Sequence, residues 1–252
     1  MNKQVDSTIL HCDQFPRANK YDPMWILQNS MGCNVIWLTD FLTQPMDLRP
    51  GMRVLDLGCG KGISSVFLAK EFGVHVYAVD LWEDADGKWE QAKEHGVSHL
   101  ITPVKADARD LPFAKGFFDV ILCVDAYIYF GTDDLYLNYI TRFLCPGGKI
   151  GMVVPGLMKE FTDGVPEHLT DFWGQDCWCW HTLTWWRKLW ERTGLVSAEA
   201  ADTLPNGCAL YARWKAAQDA AGLNHWPQDT ETLRKDAGEY VGFIRMVAAN
   251  TQ

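Results

Sequence analysis

An α/β fold with a mostly parallel sheet of seven strands is predicted for this 252-residue chain. Three observations predict it. Short continuous apolar runs recur and several end in an acid, as strands buried on both faces do. A glycine-rich turn joins the first of these runs to a helical pattern. The last two strand-like runs are separated by a segment carrying two helical patterns of its own.

Residues 1–46 read as an N-terminal helical arm. Tyr21-Asp22-Pro23 looks like a helix start, Trp25, Ile26, Val35, Ile36, Trp37, Leu38, Phe41 and Leu42 supply apolar faces, and Gly32 breaks the arm into two helices. Residues 47–155 form the core. Val54-Leu55-Asp56-Leu57 is the first strand, Gly58-Cys59-Gly60-Lys61-Gly62 the turn, and Ile63 to Lys70 a helix. A ligand can lie against bare backbone at that helix N-terminus. Val74 to Val79 is a second strand, ending in Asp80, which lies 22 residues after Gly58. An acid at that place can accept hydrogen bonds from two ribose hydroxyls. Ile101 to Ala108 brings Asp107 to the tip of a third strand, Phe117 to Asp125 makes a fourth, and Ile150 to Val154 a fifth after the Cys145–Lys149 turn.

Residues 156–252 form a second half. It opens on a tryptophan-rich stretch, Phe172 to Trp190, holding six of the chain's twelve tryptophans, with a helix from Thr182 to Thr193. Gly194 to Asp202 reads as strand six and Glu239 to Ala248 as strand seven, an antiparallel edge. The insertion between them, about 205–239, carries helices over 209–221 and 230–237. If strand six runs parallel to strand one, the insertion starts over the ligand-binding edge, where a lid excludes water. Such a lid would shape an acceptor pocket together with the Asp125–Tyr129 turn and the tryptophan-rich stretch, and its deletion would spare cofactor binding.

Two nucleotide-binding fingerprints fail. Ile63 stands where G-x-G-x-x-G needs its third glycine, and no G-K-[ST] follows a four-residue gap. The remaining D-x-G-x-G-x-G, with the strand-end acids at their spacings, resembles the class I S-adenosylmethionine (SAM) dependent methyltransferases over roughly residues 50–155. The layout is similar to the small-molecule group that includes sarcosine/dimethylglycine, phosphoethanolamine and quinone C-methyltransferases.

That resemblance implies a Rossmann-like methyltransferase sheet with SAM as cofactor and S-adenosylhomocysteine as product. It carries the methionine end to Asp56, Gly58, Cys59 and Gly60, the ribose to Asp80, and the adenine to Asp107 and Ala108, flanked by Leu81 and Trp82. Asp125 is assigned to the cofactor's amino group. Tyr21 is a candidate lid residue over the cofactor, or a packing residue of the arm.

Methyl transfer from a sulfonium is an in-line displacement, so holding acceptor and methyl together in a dry pocket supplies most of the catalysis. A base is needed only for an acceptor that arrives protonated. Tyr127 and Tyr129 follow strand four and can bind or deprotonate an acceptor, or line its wall. His181 is a candidate base, or a helix-capping or core histidine. Cys177, Cys179 and His181 alternate and would share one face of an extended segment. That face would suit a soft metal or metalloid, the tryptophans an aromatic acceptor wall, and a packed helix suits both patterns; no fourth ligand stands at metal-site spacing, and no metal is expected.

The chain is long enough to bury roughly three quarters of its unfolded surface without disulfide staples. Eight cysteines therefore read as cytosolic thiols. Met1–Thr8 contains no apolar leader-like run, and no uninterrupted apolar run reaches the ~18 residues of a membrane span. The expected location is cytoplasmic. A net charge of −9, with pI near 5.2 and no Lys/Arg cluster, argues against a nucleic-acid partner and against a phospholipid surface. The expected function is SAM-dependent methylation of a small molecule, at an N, S, O or C atom. The alternatives are a lipid-like C-methyltransferase or cyclopropane-forming enzyme, and a SAM-binding protein without turnover.

Overall fold

In the arm, Asp22 accepts from the Trp25 amide at 2.8 Å and Pro23 opens helix α1 (Pro23–Asn29), while Asn34 accepts from the Trp37 amide to start α2 (Val35–Thr43). Each cap satisfies one of the orphan donors of a helix start. The break around Gly32 is where the sequence places it. A computed structural model describes residues 8–226 and 228–252. Met1–Val5, Asp6 and Ser7 of the stretch read for a leader, and Pro227 of the insertion, lie outside the described residues.

The core then alternates strand and helix: β1 (Arg53–Leu57), α3 (Ile63–Phe72), β2 (His75–Asp80), α4 (Ala85–Glu94), β3 (Ile101–Lys105), β4 (Phe118–Val124), α5 (Tyr136–Thr141) and β5 (Leu144–Leu157). The second half supplies α6 (Leu183–Glu191), β6 (Val196–Thr203), α7 (Gly207–Ala221), α8 (Gln228–Asp236) and β7 (Val241–Asn250). Helices α4 and α5 were not expected from the sequence: α4 is polar and buries only Lys88 and Ala92, and α5 is a short helix of 6 residues.

The seven strands form one sheet in the order β3-β2-β1-β4-β5-β7-β6. Strands β1 to β5 pair in parallel, and β7 is antiparallel to both β5 and β6. The Rossmann-like sheet is as predicted, with its antiparallel pairing at the predicted end. The placement within that end differs: β7 sits one place inside, and β6 forms the edge. The physical reason is polarity. Val241, Ile244, Met246, Val247 and Ala248 of β7 are at most 0 % exposed, whereas β6 carries Ser197, Glu199 and Asp202 and is mostly half-exposed. An apolar strand is stable between two neighbours, and a polar one can face water. Buried Arg245 of β7 locks the seam: its guanidinium donates to both Asp202 oxygens at 2.9 and 2.6 Å and to the Phe41 carbonyl at 2.6 Å.

Strand order reverses between β1 and β4, the switch point where open α/β sheets hold their ligands. Among the described residues, no helix is long and apolar enough to cross a membrane.

Candidate active site

A cleft of about 270 Å³ opens at that switch point, at the C-terminal ends of β1, β2, β3 and β4. Its floor is the glycine turn. Gly58, Gly60 and Gly62 all adopt positive φ (71°, 52° and 83°), a region costly for any side chain. Space forbids one as well: a Cβ on Gly58 would lie 2.5 Å from that of Ala126, and one on Gly60 2.8 Å from the Met31 sulfur. Gly62 starts α3 with no side-chain cap. The start of α3 is thus left without a side-chain cap, and Ile63 brings it to the cleft.

Asp80 closes the next side. Its Oδ1 accepts from the Trp82 and Glu83 amides at 2.9 and 3.0 Å, and its Oδ2 from the Gly60 amide at 2.9 Å. A carboxylate accepts about four hydrogen bonds, so roughly one direction on Oδ2 is left for a ligand. The two ribose bonds expected from sequence exceed what Asp80 has free, because its own loop takes the rest. Leu81 and Trp82 line the mouth and stand 47 % and 71 % exposed. Beyond β3, Asp107 accepts from the Arg109 amide at 2.8 Å, and Arg109 donates to the Tyr129 carbonyl at 2.9 Å, which ties this rim to the turn after β4.

Asp125, at the tip of β4, has φ 62°, a left-handed conformation rare outside glycine and asparagine. Its Oδ2 accepts from the Cys33 amide at 2.9 Å, and burial pushes its carboxyl up to about 6. Tyr129 lines the same cleft and is about half exposed. Burial, then the nearby Asp125 and Asp176 carboxylates, push its phenol upward, so it enters neutral chemistry as a hydrogen-bond donor and not as a base.

Cys59, Ala108 and the predicted glycines also line the cleft, whereas four predicted residues do not. Asp56 lies beneath the loop, fully buried. One of its oxygens accepts from the Ser64 and Ser65 hydroxyls, both at 2.6 Å, the other has no partner, and burial lifts the carboxyl to about 6. It braces α3 from below. Tyr21 is buried in the arm, stacked on Trp25, with its hydroxyl donating to Glu71 at 3.2 Å. Tyr127 is 1 % exposed and packs among Trp186, Trp190 and Tyr136, with its hydroxyl unpartnered. His181 stacks on Trp185 with ring centres 3.6 Å apart, and burial lowers its imidazole below the usual range.

The shared face expected of Cys177, Cys179 and His181 also gives way. A 3-10 turn over Gln175–Cys177 replaces the extended segment, and each thiol points to a carbonyl of its own turn, Phe172 for Cys177 and Asp176 for Cys179. Burial pushes Cys177 up to about 12, so it remains a thiol at neutral pH.

Sequence reading missed the contribution of the arm. Met31, Gly32 and Cys33 line the cleft, although Gly32 read only as a helix breaker. It also missed Arg109, two residues past Asp107, which no spacing rule marks.

Residues 54–148, from β1 into β5, match the methyltransferase domain family. That stretch is a methyltransferase domain. The chain is 33% identical over 125 residues to the sarcosine/dimethylglycine N-methyltransferase of Halorhodospira halochloris, a stretch covering 49% of this chain and 45% of that protein. It is 30% identical over 112 residues to phosphoethanolamine N-methyltransferase 1 of Arabidopsis thaliana, covering 44% of this chain and 23% of that one. The chain thus spans less than half the length of either curated relative. The methyltransferase fold extends further than the sequence match. A phosphoethanolamine N-methyltransferase 2 from Haemonchus contortus, solved with S-adenosyl-L-methionine, superposes on 98% of this chain and 60% of its own, with TM-score 0.72 and 18% identity.

Proposed function

We propose that this methyltransferase moves the methyl group of SAM to a small-molecule acceptor, releasing S-adenosylhomocysteine. The observation that carries the reading is the uncapped N-terminus of α3 beside a glycine turn, in a cleft that also presents Asp80. That helix start suits the methionine carboxylate. The free direction on Asp80 Oδ2 suits one ribose hydroxyl, and the Asp125 carboxylate suits the amino group. Leu81 and Trp82 offer an apolar face to adenine, with Asp107 and Ala108 opposite.

SAM supplies a methyl already activated by the positive sulfur. The chain's task is to hold that methyl in line with an acceptor and away from water. Tyr129, protonated at neutral pH, can donate a hydrogen bond to the acceptor at the cleft wall. The other predicted catalytic residues, Tyr127 and His181, stand outside the cleft and are proposed to support the wall. The acidic charge and the absence of a membrane-crossing helix among the described residues support a small-molecule acceptor and a cytoplasmic location.

Calorimetry tests this directly. Wild-type protein should bind S-adenosylhomocysteine and prefer it to NAD. Asp80→Asn should weaken that binding about tenfold or more, the worth of one charge-assisted hydrogen bond. Tighter binding of NAD, or an unaffected Asp80→Asn, would falsify the proposal.

A further inference from the structure

None of the insertion's described residues lines the cleft, yet α7 reaches its wall at Gly32 and Cys33. Trp214 of α7 is 1 % exposed, and its Nε1 donates to the Gly32 carbonyl at 2.9 Å. That carbonyl belongs to the same peptide unit as the Cys33 amide, which donates to Asp125 Oδ2 at 2.9 Å. One peptide plane is therefore gripped at both ends, from α7 and from the tip of β4. It has no slack: a Cβ on Gly32 would sit 2.3 Å from Asp125 Oδ2. Not every fully buried indole has such a bond. Trp186 and Trp190 are as deeply buried, and their Nε1 groups find no acceptor.

We propose that Trp214 is a positioning residue for the methyl-donor site, fixing the Gly32–Cys33 peptide and through it the orientation of the Asp125 carboxylate. Donation into the carbonyl polarises the peptide and strengthens its N–H as a donor to Asp125. It also orients the cleft wall that carries Met31, Gly32 and Cys33. The insertion then belongs to the donor site as well as to the acceptor side, contrary to the expectation that its loss would spare cofactor binding. This inference rests on the proposed reading of the cleft as a SAM site.

The test uses the full chain with S-adenosylhomocysteine as probe. Trp214→Phe keeps a buried aromatic ring but removes the indole N–H together with part of the ring volume, a loss of volume that Trp190→Phe shares. Its dissociation constant should rise about five- to tenfold, and exchange of the Cys33 amide should accelerate severalfold. Trp190→Phe, which also removes a buried indole N–H but breaks no hydrogen bond, should change neither. Should Trp214→Phe fail to fold, wild-type NMR still decides. Saturating S-adenosylhomocysteine should slow exchange of the Trp214 indole proton while leaving that of Trp190 unchanged. Affinity within twofold of wild type and an unchanged Cys33 amide overturn the inference, as does a Trp214 proton indifferent to the probe. Wild-type protein that does not bind the probe takes down the functional reading itself, and this inference with it.

Discussion

Three carboxylates reached from strand tips sit in three different electrostatic settings, and each sets a different use. Asp80 is surrounded by backbone donors, Asp125 faces Cys33 and an open cleft, and Asp56 is sealed beneath the loop with two serines. Burial lifts Asp125 to about 6, so it is ionised at neutral pH and protonates just below it. An ammonium group prefers the ionised form. If Asp125 holds the amino group of the donor, affinity for S-adenosylhomocysteine should be level above pH 7 and fall as pH drops through 6, approaching tenfold per unit. Asp125→Asn should bind more weakly at pH 7 and lose that slope. For stability the sign is opposite. A carboxyl raised in the fold holds its proton more tightly than in the unfolded chain, so its contribution is greatest below about pH 4 and lost as pH rises through 6. Binding isotherms between pH 5 and 8 decide the first point; a slope surviving in Asp125→Asn would assign it to another group.

At the scale of elements, Tyr127 shows what spacing cannot convey. It follows β4 at the place where an acceptor-facing residue is expected, but the short 3-10 turn Tyr127–Tyr129 sends the two tyrosines opposite ways. Tyr129 enters the cleft, and Tyr127 enters the aromatic cluster beneath α6. Its buried hydroxyl makes no hydrogen bond, so Tyr127→Phe should leave stability unchanged or raise it by about 1 kcal/mol and leave methyl transfer intact. A large loss of activity with a normal melting temperature would restore Tyr127 to the chemistry. The same distinction separates what was legible elsewhere. Strands β1 to β5, α3 and the glycine turn were readable because continuous apolar runs and positive-φ glycines are dictated locally. The arm's role at Gly32, the retreat of Tyr21 and the turn at Cys177 depend on contacts between residues far apart in sequence. Strand β7 was legible as a strand but not in its place, although its largely apolar run, broken only by Arg245 before Asn250, carried that signal against the polar β6.

Across the whole molecule, the seam between the two halves decides how it unfolds. Strand β5 ends the parallel core, and its partner is β7, the last strand of the chain. The arm is bound to the same seam, since Arg245 of β7 lies 3.8 Å from the Phe41 ring centre and donates to the Phe41 carbonyl. Chain start, core and chain end thus share one buried layer, and no half can open without exposing the apolar strands of the other. A single domain over residues 1–252 is the expectation that follows, with one cooperative transition. Two probes separate this from stepwise melting. Eight of the twelve tryptophans lie after residue 155, so fluorescence weights the second half. Far-ultraviolet circular dichroism weights helices and strands throughout. The two denaturation curves should coincide, with equal midpoints and slopes. Arg245→Met removes the charge and leaves Asp202 on a half-exposed edge, so it should lower both midpoints together, by the same amount. A fluorescence transition that precedes the loss of secondary structure, or separates from it in Arg245→Met, would mean that the second half folds as a unit of its own.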